Sequence, residues 1–150
     1  IKKFREMEED KKGGKIGVIL NLTPSYPRSN SEEDVKAAKI ADLIFNRSFL
    51  DTAVKGEFPE ELTKLLREED VLWESTDEEI KIIKENTVDF LGVNYYQPRR
   101  IKAKETTFDN SNGWLPDKHF DNYDMPGKRM NPYRGWEIYP EGIYDQRACP

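Results

Sequence analysis

Asn94 and Tyr96 are the residues best placed to do chemistry. They stand two apart in a run with strand character, so both side chains leave the same face near its downstream end. A carboxamide and a phenol buried there must find polar partners, and a ligand hydroxyl or a reacting carboxylate would serve. Trp136, with Trp114 and the tyrosines around it, offers flat aromatic faces that suit the apolar C–H face of a pyranose. Glu137 and Glu141 could act as acid and base. With 29 acidic residues in the chain such spacings arise by chance, and Pro140 breaks any helical face that would fix the separation. Arg99, Arg100, Lys102 and Lys104 cluster beside Tyr95 and Tyr96. A phosphate or polyanion would fit them, although a solvated loop after a strand is the plainer reading. One histidine, His119, and one cysteine, Cys149, cannot make a zinc site of the usual spacing, and no acidic run matches a calcium loop. Gly13-Gly14 precedes a strand instead of following one, so no phosphate-cradling loop is present, and there is no nucleophile elbow. No metal and no cofactor is assigned.

The elements that would hold these residues alternate between strand and helix. Lys15 to Asn21 is short, aliphatic and bounded by Gly13-Gly14 and Pro24, which argues for a buried strand. Gly17, Ile19 and Asn21 share one face, and Asn21 closes the face that carries the glycine, leaving it open to a site. Ser31 followed by Glu32, Glu33 and Asp34 predicts a helix start, with the helix running to about Asn46. After a loop through Gly56, Pro59 opens a short helix carrying Leu62, Leu65 and Leu66. Thr76 and Glu79 form a capping box for a third helix that ends near Asn86. Val88 to Tyr96 is the second strand. From about Ile101 onward neither period is sustained, which predicts a long aromatic loop region. Strands joined by helical crossovers, with polar groups at their downstream ends, imply an α/β fold of parallel sheet or barrel type that binds ligands at that end. The expected divisions are a charged lead-in over 1–14, β/α units over 15–100 and a long loop segment over 101–150, all within one domain.

The chain has 150 residues, 35% charged and 36% hydrophobic, with a mean hydropathy of −0.87, so its core is expected to be thin. Its net charge of −5 opposes the phosphate backbone of nucleic acid and an anionic membrane surface, and neither is expected as a partner. No apolar run approaches the roughly 20 residues that span a bilayer. A lone cysteine and the lack of a signal-like start predict a cytoplasmic protein. The chain opens on Ile1 and closes on Arg147-Ala148-Cys149-Pro150, so both ends are expected to be cut.

Val88-Asp89-Phe90-Leu91-Gly92-Val93-Asn94-Tyr95-Tyr96, followed by Gly135-Trp136-Glu137-Ile138-Tyr139-Pro140-Glu141-Gly142-Ile143-Tyr144, resembles glycoside hydrolase family 1 in order and distance. The stretch from Ala41-Asp42 to Phe58-Pro59 resembles the family's chain between its fifth and sixth barrel strands. Asn94 to Arg100 and Met125 to Tyr133 are most similar to the family's bacterial 6-phospho-β-glucosidase branch. The resemblance implies a (β/α)8 TIM barrel and retaining hydrolysis by two glutamates about 5 Å apart. Neither of the family's glutamate motifs, Asn-Glu-Pro and Glu-Asn-Gly, occurs here. The resemblance therefore implies the central part of a barrel, about strands five and six. A whole barrel typically takes about 250 residues.

Carried over by motif, the resemblance implies that Tyr96 hydrogen-bonds the nucleophile, Asn94 and Asn21 line the pocket, and Trp136 is a platform near the leaving-group subsite. It implies a phosphorylated β-glucoside as substrate of the intact parent, with no catalytic residue and no activity in this chain alone. Two strands with open edges predict self-association. The alternative is a non-catalytic carbohydrate-binding or interaction module that presents Trp114, Trp136 and the tyrosines as a flat contact surface.

Overall fold

A computed structural model describes residues 1–8, 13–109, 111 and 113–145. Cys149 and the rest of the chain's last five residues lie outside the described residues. The chain folds as two compact units, each assembled from two separate stretches.

The first unit comprises Ile1–Leu20 and Arg47–Asn94. Part of the charged lead-in is helix α1 (Lys2–Glu8). Strands β1 (Gly17–Asn21) and β3 (Phe90–Asn94) form a two-stranded sheet. β3 is shorter than the run from Val88 to Tyr96, and side chains flanking it make bonds of their own. The Asp89 carboxylate accepts from the Ile16 amide at 2.8 Å and from Arg5 at 3.1 Å, and the Tyr95 hydroxyl donates to the Tyr139 carbonyl at 2.6 Å. The glycine face of the sheet carries Ile19 and Phe90, both exposed. A Cβ on Gly17 would fall 2.3 Å from the Phe90 ring, and one on Gly92 would fall 2.9 Å from Ile19. Each glycine makes room for the neighbouring strand's bulky side chain.

Three helices complete this unit. Helix α3 (Ser48–Val54) ends where Gly56 takes φ +74°, a left-handed value that glycine accepts without strain. A Cβ there would also meet the Lys84 backbone at 2.8 Å. Helix α4 (Glu60–Glu68) starts after Pro59, and α5 (Asp77–Glu85) carries the complete Thr76–Glu79 capping box.

The second unit comprises Asn21–Asn46 and Tyr95–Pro150. Strand β2 (Ser25–Pro27) runs parallel to β4 (Arg99–Ala103), which pairs antiparallel with β5 (Phe120–Asn122). Helix α2 (Glu32–Asp42) packs on this sheet through Ala37, Ala38 and Ala41 against Ile101 and Phe120. Small side chains let the helix axis approach β4 closely. The region after Ile101 thus contains a strand ladder and the short helices α6 (Pro116–His119) and α7 (Glu141–Asp145). Its strand signal is hidden because β4 reads Arg-Arg-Ile-Lys-Ala, and Ile101 alone in it is fully buried.

Helix α2 does not end in a loop near Asn46. It continues through a π-helical turn, Leu43–Arg47, into α3. The wider turn swings the Asn46 carboxamide toward the chain after β1, where it accepts from the Thr23 amide at 3.0 Å and donates to the Thr23 carbonyl at 2.9 Å. One side chain here replaces a strand's pair of backbone bonds.

Candidate functional site

Tyr96 and Trp136 are brought together in the second unit. Their ring centroids are 5.1 Å apart and their planes tilted by 51°, within the range of a favourable aromatic pair. With Tyr95, Asn131, Ile138 and Pro140 they line a cleft of about 170 Å³. Tyr96 is 53% exposed, so its phenol faces solvent instead of a buried partner. Asn94 and Asn21 end β3 and β1 as expected from parity, and both are exposed.

The loop that presents Trp136 is built by its own backbone. The Asn131 carboxamide oxygen accepts from the amides of Tyr133 and Arg134 at 2.9 and 3.1 Å, an Asx-type turn. Gly135, at φ +68°, donates to the Asn131 carbonyl at 2.9 Å. The Asn131 amide then bonds the Trp136 carbonyl at 2.8 Å, and Met130 pairs with Glu137 in an antiparallel bridge. The Arg134 guanidinium lies 5.7 Å from the Trp136 ring centroid.

Glu137, the residue after the platform, is 5% exposed and is held by Arg100. Arg100 donates from Nη2 at 2.6 Å and from Nε at 3.2 Å, a two-pronged charge-assisted pair. The Arg100 guanidinium also lies over the rings of Tyr26 and Tyr139, at 4.7 and 4.6 Å. Tyr26 meets Tyr139 edge-on at 5.4 Å and donates its hydroxyl to Asp145 at 2.5 Å. Burial pushes the Tyr95 phenol up to about 12, with the Glu137 charge adding to the shift. Burial raises Tyr26 further, reinforced by its bond to Asp145. Gly142 admits the Tyr95 hydroxyl, which a Cβ would meet at 2.1 Å. Glu137 is therefore taken up by a cation, whereas Glu141 is exposed at the start of α7. The two are not arranged as an acid and base.

The basic cluster is a strand and not a solvated loop, and it does not form a phosphate cradle. Arg100 holds Glu137, Lys102 pairs with Glu105, and Lys104 bonds Asp121 at 2.9 Å. Arg99 lies on the Phe45 ring, 3.7 Å from its centroid, and burial lowers its pKa. Trp114 packs against the same Phe45 at 6.5 Å. In the sequence Arg100 and Glu137 fall in separate groups. Nothing in either local segment signals a partner 37 residues away.

The first unit holds a larger groove of about 700 Å³, between α4, α5 and the connection joining them, lined by Phe58, Leu72, Trp73 and Ile83. Phe58 and Trp73 meet there edge-on at 4.7 Å. None of the candidate site residues lines it. Among the described residues, no group of three His, Cys, Asp or Glu side chains could hold a metal, and no helix is long and apolar enough to cross a membrane.

The family profile described as glycosyl hydrolase family 1 matches residues 1–148. The chain is 60% identical over 145 residues to the 6-phospho-beta-glucosidase GmuD of Bacillus subtilis, covering 97% of this chain and 30% of that protein. It is 32% identical over 148 residues to a 6-phospho-beta-galactosidase of Staphylococcus epidermidis, covering 89% of this chain and 32% of that protein. Its fold superposes on the family 1 β-glucosidase of Thermotoga maritima with a TM-score of 0.70 and 33% identity, covering 97% of this chain and 29% of that one. The chain thus spans about a third of the length of these relatives.

Proposed function

The chain belongs to glycosyl hydrolase family 1, and from that premise we propose that it is the central section of a retaining 6-phospho-β-glucosidase barrel. The section would cover about strands five and six and the segment leading toward strand seven, in a cytoplasmic enzyme. The identity with the phosphoglucosidase relative, well above that with the phosphogalactosidase, carries the choice of sugar.

In a retaining mechanism one carboxylic acid protonates the glycosidic oxygen while a second carboxylate attacks the anomeric carbon, and water then releases the sugar. Both glutamates would come from the rest of the barrel. This chain's residues would serve them. Tyr96, which is 53% exposed, would donate to the nucleophile and keep it ionised. Asn94 and Asn21 would bind sugar hydroxyls, and Trp136 would stack on the leaving group. The open phenol of Tyr96 beside the Trp136 ring supports this division of roles.

The test is nitrophenol release from the 6-phospho-β-glucoside, the 6-phospho-β-galactoside and the unphosphorylated β-glucoside, by the full-length enzyme and by the 150-residue chain. The full-length enzyme is expected to turn over the first substrate best, and the chain none. Turnover by the chain alone would overturn the assignment of both glutamates to the missing part. Preference for another sugar would overturn the substrate. No turnover by either, with sugar binding by the chain, would favour a carbohydrate-binding module.

A further inference from the structure

Trp136 is fixed through the backbone on both sides, and on one side the fixing depends on a buried charge pair. Upstream, the Asn131 turn and Gly135 define where the residue enters. Downstream, the Glu137 amide donates to the Gln97 side-chain oxygen at 3.3 Å and the Ile138 amide to the Arg129 carbonyl at 2.7 Å. The strongest restraint is the Glu137 carboxylate, gripped by both prongs of Arg100. Arg100 belongs to β4 and is itself walled by Tyr26 and Tyr139, so the grip connects Trp136 to the sheet and not to another loop. A planar guanidinium on a planar carboxylate fixes angle as well as distance, and a lysine in its place would fix neither.

We infer that Arg100 and Glu137 are positioning residues that set the pitch of the Trp136 ring and so the enzyme's preference for aromatic over small alkyl leaving groups. The inference rests on the reading of Trp136 as a leaving-group platform. Glu137 borders the cleft but is 5% exposed, with its carboxylate held by Arg100, so the pair acts through Trp136. Aromatic contacts depend on the relative angle and offset of the two groups, so a platform ring turned from its set pitch loses much of its contact with an aryl group while changing little for a methyl group.

The experiment compares kcat/KM for nitrophenyl and methyl 6-phospho-β-glucosides in the full-length enzyme carrying Glu137→Gln, Trp136→Leu, or both. Glu137→Gln is expected to lower the aryl-to-methyl ratio about three- to tenfold, the size of one aromatic contact. In the Trp136→Leu background the same change is expected to have no further effect on the ratio. Should Glu137→Gln fail to fold, Arg100→Lys, which loses the two-pronged grip, is expected to lower the ratio in the same way. An equal loss on both substrates, or a Glu137→Gln effect that persists without Trp136, would overturn the inference by reducing the pair to a structural one. A full-length wild-type enzyme that hydrolyses neither substrate would instead overturn the functional reading, and the inference with it.

Discussion

Asp34 is 1% exposed, and a carboxylate survives at that depth only when its lone pairs are filled. Asp34 accepts from the Ala103 amide and the Ser29 hydroxyl, both at 2.7 Å, and from Arg28 at 3.0 and 3.2 Å. It thereby joins the first turn of α2 to the end of β4. These bonds, the Ala103 amide foremost, hold its pKa below the usual carboxylate range. At Asp121 burial alone would raise the pKa, but bonds from Lys104, Thr106 and the Glu105 amide outweigh it and the net shift is downward. A lowered folded pKa means that the unfolded chain binds protons first, so the stability these groups supply is complete above the unfolded value near 4. It is lost as pH falls through the folded values. Asp34→Asn keeps the shape but cannot accept from four donors. It is expected to lower the thermal midpoint by several degrees at pH 7 and to flatten the decline of stability below about pH 4, measured by circular dichroism melts. The acids of the first turn were legible as a helix start, but this role of Asp34 was not. Its bond to Ala103 joins residues 69 apart, and no local pattern records it.

At the scale of elements, signals carried by neighbours in sequence were accurate and signals carried by partners across the fold were missed. The Thr76–Glu79 box is complete, with the Thr76 hydroxyl accepting from the Glu79 amide at 3.3 Å and the Glu79 carboxylate accepting from the Thr76 amide at 2.9 Å. Thr76→Ala is expected to destabilise α5 by about 1 kcal/mol, seen as faster amide exchange over 77–85 with little change over α2. The Ser31 cap is equally local and holds as expected, accepting from the Asp34 amide at 3.2 Å. By contrast, the end of α2 is set by Thr23, which recruits Asn46 and turns an expected stop into a π-helical turn. β4 escaped a periodicity reading for a related reason. Of its three cations, Arg100 faces an acid from a distant segment, Lys102 one three residues on, and Arg99 an aromatic ring, so its charges neither alternate with apolar residues nor lie free in solvent. Within the candidate site, Tyr96 and Trp136 were legible by motif, while the pair that holds Trp136 in place was not.

At the scale of the whole molecule, the two-stranded sheet has no third strand among the described residues. Ile19 and Phe90 are 67% and 54% exposed on it. An uncovered apolar face with free edges is prone to associate. Ile19→Lys, whose aliphatic stem still covers Gly92 while its ammonium enters water, is expected to reduce self-association of the 150-residue chain in sedimentation velocity. Unchanged sedimentation would remove this face as the cause. The interleaving of the two units along the chain carries a further consequence for anyone choosing expression boundaries. Neither unit is a contiguous segment, so neither can be subcloned alone. A gene fragment stopping after Asn94 would encode the first unit whole, yet it would also encode α2 without Ile101 and Phe120 to cover Ala37, Ala38 and Ala41. Such a truncation is expected to accumulate in inclusion bodies where the complete chain does not.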